Sequence, residues 1–395
     1  MDKPILFSFF AGLGFLDLGF EKTGYGIAYV NEIHPPFLGA YRYAREKLGL
    51  ERPMYGYLAE SIEEIAGGTL DRTLSWIIKD AKRKGNDNRL VGFIGGPPCP
   101  DFSIGGKNRG ILGQNGRLSL FYMEVICRFK PDFFLLENVK GLWQTRRHRD
   151  FYESLKCMAQ ANRYFVTERM INSIEYGVPQ DRDRIILLGF SEQVMRDLSG
   201  LPADKQMELP EDAFPWLAYA SYPGGTAFTY QWPNPQPFQL DSKITPPRSV
   251  PIDLTVESWF RKNDVYNHPN SGHCFKPKAG LARFKTVSEG DNSRKSFKRL
   301  HRWRYSPTAC YGNNEVHLHP YKARRISAAE ALAIQSLPKE FELPPDMTLS
   351  NMFKGIGNGV PYLASKALAR SILKFLRFEN EDNSIEYCEC HCKAS

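Results

Sequence analysis

The sequence predicts a doubly wound α/β fold with a mainly parallel sheet and a smaller, loop-rich unit set into it. Three observations carry that expectation. Short apolar runs alternate with helical patterns over residues 4–190, the rhythm of strand–helix–strand units. From about Ser191 the rhythm stops, and Pro, Gly and aromatics dominate, as in Tyr222-Pro223-Gly224-Gly225. From about Ser327 a helical pattern returns and runs to Phe378.

Pro4 to Phe10 reads as the first strand, followed by Gly12, Gly14 and a helix from Phe15 to Lys22. Gly26 to Asn31 is a second strand, with a helix after it through Leu48. Leu90 to Ile94 and the wholly apolar Asp132 to Leu136 read as strands buried on both faces. Leu118 to Phe129 and Phe151 to Ala161 are helices, and Arg184 to Phe190 is a further strand. Ser327-Ala328-Ala329-Glu330 has the Ser-x-x-Glu spacing of a capping box. An amphipathic helix closes the pattern from Val360 to Phe378. The expected division is residues 1–190, a loop-rich unit over 191–320, a return to the first unit over 321–380, and a tail over 381–395.

With 395 residues, 42% of them hydrophobic, the chain can bury a full core. Its net charge of +8 is unevenly placed. Asp241 to Tyr305 holds 14 Lys/Arg against 6 Asp/Glu, whereas Ser191 to Leu240 holds 2 against 6. Such a basic window suits a polyanion, although charge alone also fits a solvated surface. No apolar run reaches the ~20 residues of a membrane span, no secretory leader is evident, and a reducing cytoplasm is expected. Cys388, Cys390, His391 and Cys392 crowd the tail without the paired spacing of a structural zinc site, so no metal is expected there.

Five segments carry chemistry. Cys99 follows Gly95-Gly96-Pro97-Pro98, a stiff turn at a strand's end, where an α/β protein presents a nucleophile; alone, a lone cysteine there is more often structural. Phe10-Ala11-Gly12-Leu13-Gly14 lets backbone approach a ligand at the first strand-to-helix turn. Glu32, closing the second strand, can accept from ribose hydroxyls, so the two suggest a nucleoside-containing cofactor as readily as a structural turn. Glu137 ends an apolar strand; burial there must protonate it or partner it, unless it merely caps a helix. Gln180-Asp181-Arg182-Asp183-Arg184 offers alternating guanidinium forks for carbonyls or carboxylates, or two surface ion pairs with its own aspartates. Gly355-Ile356-Gly357-Asn358-Gly359-Val360-Pro361 reads as the capped start of the last helix.

Taken in order, these segments resemble the DNA cytosine-5 methyltransferases. The Phe10–Gly14 turn, Pro98-Cys99 with Phe102-Ser103, Glu137-Asn138-Val139, and Gln180, Arg182 and Arg184 are similar to successive motifs of that family. So are Arg325 to Pro338, with Glu330 and Gln335, and Gly357 to Pro361. The resemblance spans residues 4–190 and about 305–378. Phe15 stands where the family has a second Gly, and Pro100 where it has Gln. Ile33 stands in place of an aromatic, and Glu60 is only the nearest match to the acid for the adenine amine.

The resemblance implies a Rossmann-like, S-adenosylmethionine-dependent fold whose loop-rich region recognises the target. Residues 1–190 would then be the catalytic and cofactor-binding unit. Cys99 would attack carbon 6 of a flipped-out cytosine, Glu137 would hold ring N3, Arg184 would contact O2, and Arg182 would brace the nucleophile loop. The methyl donor would meet Phe10, Ala11, Gly12, Leu13, Gly14, Glu32, Ile33, Glu60, Ser61, Pro98, Leu120, Asn358, Gly359 and Val360. Ser103, Lys107, Arg109, Arg283, Lys285, Arg302 and Arg304 would contact double-stranded DNA, the loop after Cys99 closing over it. The resemblance points to the prokaryotic restriction–modification type, a cytoplasmic, nucleoid-associated monomer whose cognate endonuclease acts on the same site. An RNA cytosine-5 methyltransferase of the same fold and a non-catalytic DNA-binding module are the competing readings.

Overall fold

The computed structural model describes residues 2–84, 89–98, 114–199, 207–210, 212–277, 281–294, 296–309, 311 and 316–378. The first half builds β1 (Ile5–Phe9), α1 (Phe15–Glu21), β2 (Gly26–Asn31), α2 (Pro35–Lys47), β3 (Tyr57–Leu58), α3 (Ile62–Ala66), α4 (Asp71–Arg83) and β4 (Val91–Gly95). It continues through α5 (Gln114–Phe129), β5 (Phe133–Val139), α6 (Lys140–Gln144), α7 (Arg146–Ala161), β6 (Tyr164–Asn172), β7 (Asp183–Ser191) and α8 (Glu192–Ser199). Among the described residues, seven strands form one sheet in the order β3-β2-β1-β4-β5-β7-β6. β1 pairs in parallel with both β2 and β4, so the winding reverses between β1 and β4. An open α/β sheet binds its ligands outside the carboxyl ends of the strands at such a reversal. The Phe10–Gly14 turn leaves β1 there, and the segment leading to Cys99 leaves β4.

Strand alternation sends side chains to two cores. Phe7 and Phe9 of β1, Phe134 and Leu136 of β5, and Ile185 and Leu187 of β7 pack under α3, α4, α5 and α7. Leu6, Phe133, Leu135, Ile186 and Leu188 face the other way, against α1, α2 and α13 (Tyr362–Phe375). Leu209, Phe214 and Trp216 join this second core, so chain past residue 191 still packs on the sheet. A third core joins Leu13, Phe15 and Phe37 to α9 (Val256–Lys262), α11 (Ala328–Ile334) and α12 (Leu349–Asn358). Between α9 and α11 lies the short α10 (Leu281–Thr286).

The expected strands and helices form, joined by β3, α3, α4, α6 and α8, and three points differ. β7 runs antiparallel to both neighbours, because the chain returns from β6 without a crossover helix. β6 itself, carrying Glu168 and Arg169 at a half-buried edge, has too mixed a pattern to read as a strand. The third difference corrects the reading of residues 355–361: Gly355 to Asn358 is the last turn of α12, and α13 starts only at Tyr362. Packing overrides glycine's poor helix propensity there. A Cβ on Gly355 would lie 2.7 Å from Leu13, one on Gly357 would lie 3.0 Å from the Tyr311 backbone, and one on Gly359 would overlap the Phe15 ring. Phe15, the departure from the family's Gly, thus fills the space that Gly359 leaves.

Candidate active site

The turn after β1 is held by unusual backbone. Phe10 takes φ 53°, a left-handed conformation that costs a bulky residue, and Gly12 and Gly14 follow at φ 56° and 85°. The Gly12 amide donates to Glu32 Oε2 at 2.8 Å, and the His34 amide donates to Oε1 at 2.8 Å. Each oxygen keeps a further acceptor site, and the carboxylate, 7% exposed, sits at the reversal crevice. Beside it Ile33 stands 56% exposed, an apolar side chain without cover. Asn31 Nδ2 donates to the Glu60 carbonyl at 2.9 Å and draws the next loop to the same corner. Ser61 spends its hydroxyl capping α3, accepting from the Glu63 amide at 3.2 Å. Burial first, and then the Glu60 carboxylate, push the Tyr29 phenol up, so it stays neutral. Among the described residues, a Cβ on Gly12 would meet only the Phe10 carbonyl, at 4.0 Å, which leaves room beside the turn for a ligand.

Glu137 and Arg184 meet across β5 and β7. Glu137 faces Ile186 in the ladder and Arg184 faces Val139, one step along, so the side chains cross diagonally. Arg184 Nε lies 2.7 Å from Glu137 Oε1, and the two side chains are only 12% and 8% exposed. Glu137 is therefore partnered rather than a helix cap. Its other oxygen lies against the segment after β4: a Cβ on Gly96 would be 2.6 Å from Oε2. Pro98 is exposed at the end of that described stretch. Cys99, Ser103, Lys107 and Arg109 lie outside the described residues, as does the Cys388–Cys392 tail.

Arg182, fully buried, donates to the carbonyls of Ala309 at 3.3 Å, Gly357 at 2.8 Å and Gly359 at 3.1 Å. Gln180 accepts from the Ala309 amide at 3.1 Å and donates to Gln335 Oε1 at 3.3 Å. Gln335 in turn donates to the Ile356 carbonyl at 2.6 Å. The three side chains tie the start of β7 to α11 and α12. The two aspartates of this segment go elsewhere, Asp183 to Lys140 at 2.6 Å and both to Asn172, so the two-surface-pairs reading fails. Asn358 and Gly359 end α12 at this junction, Val360 is 6% exposed, and Leu120 on α5 is half-buried against the first core.

A model of the C-5 cytosine-specific DNA methylases matches residues 6–374. The chain belongs to that family. It is 52% identical to the Type II methyltransferase M.NmeDI of Neisseria meningitidis serogroup C, over 98% of this chain and 87% of that protein. It is 28% identical to the Type II methyltransferase M.XorII of Xanthomonas oryzae, over 97% and 88%. Among solved structures, a prophage-encoded DNA modification methyltransferase of E. coli shares the fold, with a TM-score of 0.60 at 18% identity, covering 95% of this chain and all of that one. The Rossmann-like fold expected of a methyl-donor-dependent enzyme is therefore present.

Within the methylase, the basic window divides. Arg283 and Lys285 are exposed on α10, and Arg304 is half-buried beside Tyr305, 5.1 Å from its ring. Arg302 corrects the expectation of a DNA contact: it is 3% exposed. Its guanidinium pairs with Glu289 at 2.7 Å and donates to the Ser242 hydroxyl at 2.9 Å, so it ties those two segments together in the interior. Asn31 has little signal in the sequence beyond a carboxamide that closes an apolar strand one residue before Glu32.

Proposed function

We propose that this methylase moves a methyl group to carbon 5 of a flipped-out cytosine through Cys99, Glu137 and Arg184. The observation that carries the reading is the Glu137–Arg184 contact set against Gly96, three residues before the cysteine. A carboxyl and a guanidinium side by side fit a ring with a nitrogen next to a carbonyl: Glu137 takes N3 and Arg184 takes O2. With N3 hydrogen-bonded, carbon 6 becomes more electrophilic, and the Cys99 thiolate adds there. The addition places enamine character on carbon 5, which can then take the methyl group. Loss of the carbon 5 proton and elimination of Cys99 restore the aromatic ring.

The donor that fits the reversal crevice is S-adenosylmethionine, which supplies an electrophilic methyl group on sulfonium. Glu32 would accept from its ribose hydroxyls, Ile33 would cover one face of the adenine, and the open side of Gly12 would face its chain. Glu60, Ser61, Leu120 and Val360 would line the remainder. Arg182 braces the carbonyls of residues 357 and 359 rather than touching the reacting atoms. Duplex DNA would lie along Arg283, Lys285 and Arg304, with Lys107 and Arg109 approaching from the loop after Cys99. The match to a DNA methylase model over nearly the whole chain favours DNA over RNA. In the Type II setting the enzyme works as a cytoplasmic monomer, protecting the site of a cognate endonuclease.

The test pairs two measurements. Bisulfite sequencing of methylated plasmid should read one cytosine in one short sequence, with transfer RNA unmodified. A duplex carrying 5-fluorocytosine at that position has no carbon 5 proton to lose, so it should trap the protein as a covalent adduct that peptide mapping places on Cys99. An adduct on another residue would overturn the assignment.

A further inference from the structure

β1 is apolar on both sides except for Ser8, and the inward face of α1 is apolar except for Asp17. Both are buried, at 0% and 1% exposure. The Ser8 hydroxyl donates to Asp17 Oδ1 at 2.8 Å, and the Tyr41 hydroxyl, from α2, donates to Oδ2 at 2.7 Å. Behind Tyr41 the chain of polar contacts continues, Arg45 reaching its hydroxyl at 3.4 Å and gripping Glu21 at 2.7 Å. The Tyr41 ring lies directly against the Phe10–Gly14 turn, since a Cβ on Gly14 would stand 2.7 Å from it.

One carboxylate thus holds three elements. β1 and α1 flank the turn, and α2 starts three residues after Glu32. The Gly12–Glu32 hydrogen bond closes the crevice between them. A buried carboxylate is a poor way to gain stability, because desolvation costs several kcal/mol and a packed apolar side chain would serve better. Its hydroxyl partners fix distance and direction, which an apolar contact does not.

We propose that Asp17 is a positioning residue for the methyl donor, acting through Ser8 and Tyr41 to set the gap between the Phe10–Gly14 turn and the Glu32–Ile33 corner. The inference rests on reading that crevice as the donor site. Asp17→Asn and Tyr41→Phe test it, the second keeping the ring against Gly14 and removing only the hydroxyl. The readout is the dissociation constant of S-adenosylhomocysteine by calorimetry on the full chain, with far-UV circular dichroism to establish folding and with KM and kcat taken separately for donor and DNA. Each variant should bind about tenfold more weakly, the size of one lost hydrogen bond to a charged group. The donor KM should rise in step, with kcat at saturating donor and the DNA KM unchanged. Folded variants with unaltered affinity, or a loss confined to kcat, would overturn the proposal. Should Asp17→Asn fail to fold, Tyr41→Phe decides. Glu32→Ala is the control: if it leaves affinity unchanged, the donor-site reading itself falls, whereas weakening by Glu32→Ala alone removes only the role of Asp17.

Discussion

Arg184 Nε and Glu137 Oε1 stand 2.7 Å apart on adjacent antiparallel strands, nearly out of water. The pair settles the alternative that burial poses for a carboxylate at the end of an apolar strand: Glu137 has a partner. It also gives Arg184 a fixed direction, and it sets the guanidinium and the carboxyl group side by side.

Glu137→Gln should reduce single-turnover methylation by about two to four orders of magnitude, the usual reach of a general acid, while leaving DNA affinity within a few-fold. The amide cannot balance the guanidinium, and removing one partner of a buried pair costs ~3 kcal/mol. Urea melts should show that loss. Full activity in the folded variant would remove Glu137 from the chemistry.

The Phe15–Gly359 contact gives a steric prediction. Gly359 has φ −66°, open to any residue, so Gly359→Ala meets no backbone strain and its whole cost comes from the Cβ striking the Phe15 ring. We expect about 1–3 kcal/mol of destabilisation, as for other overpacked sites. Phe15→Leu in the same chain should recover part of it. A double-mutant cycle measures the coupling, and additive effects would count against direct contact.

These two contacts also mark how far the sequence could be read. The turn at residues 10–14, Glu137 and Arg184 were legible because each breaks a local rule: glycines between strand and helix, charge beside an apolar run. The Ser327 capping box was legible because its spacing is local, and the structure shows both of its hydrogen bonds. Ser8 and Asp17 were not, since neither has meaning until β1 and α1 are packed and Tyr41 arrives from α2. Arg302 looked like the exposed Arg283 and Lys285 because charge in sequence carries no depth; its pairing with Glu289, 13 residues earlier, accompanies a fully buried position. Gly355 and Gly359 read as a cap because their cause, Leu13 and Phe15, lies more than 300 residues away.

Two buried histidines predict acid sensitivity. Burial, with Lys298 nearby, takes His317 down to about 3; burial does the same to His319, outweighing the pull of Glu330. Their folded values lie below the ordinary 6.5, so the unfolded chain binds protons first as pH falls. The stability they contribute is complete above pH 6.5 and is lost progressively toward pH 3. Between pH 7.5 and 5.5 each should account for about 1.4 kcal/mol of lost unfolding free energy. Urea melts at the two pH values measure it, and His317→Gln should flatten the dependence by one histidine's share.

Arg283, Lys285 and Arg302 lie within one basic window yet should behave differently. Arg283→Ala and Lys285→Ala remove exposed cations from α10; each should weaken DNA binding about equally on cognate and unrelated duplexes and reduce the salt slope by about one. Neither should shift the melting temperature. Arg302→Ala strands the Glu289 carboxylate inside the protein, with side chains only 3% and 2% exposed in the native pair, and should destabilise the fold by ~3–5 kcal/mol. Filter binding from 50 to 200 mM salt, read beside thermal melts, separates the two classes. A stable Arg302→Ala protein with a reduced salt slope would return that arginine to the DNA surface.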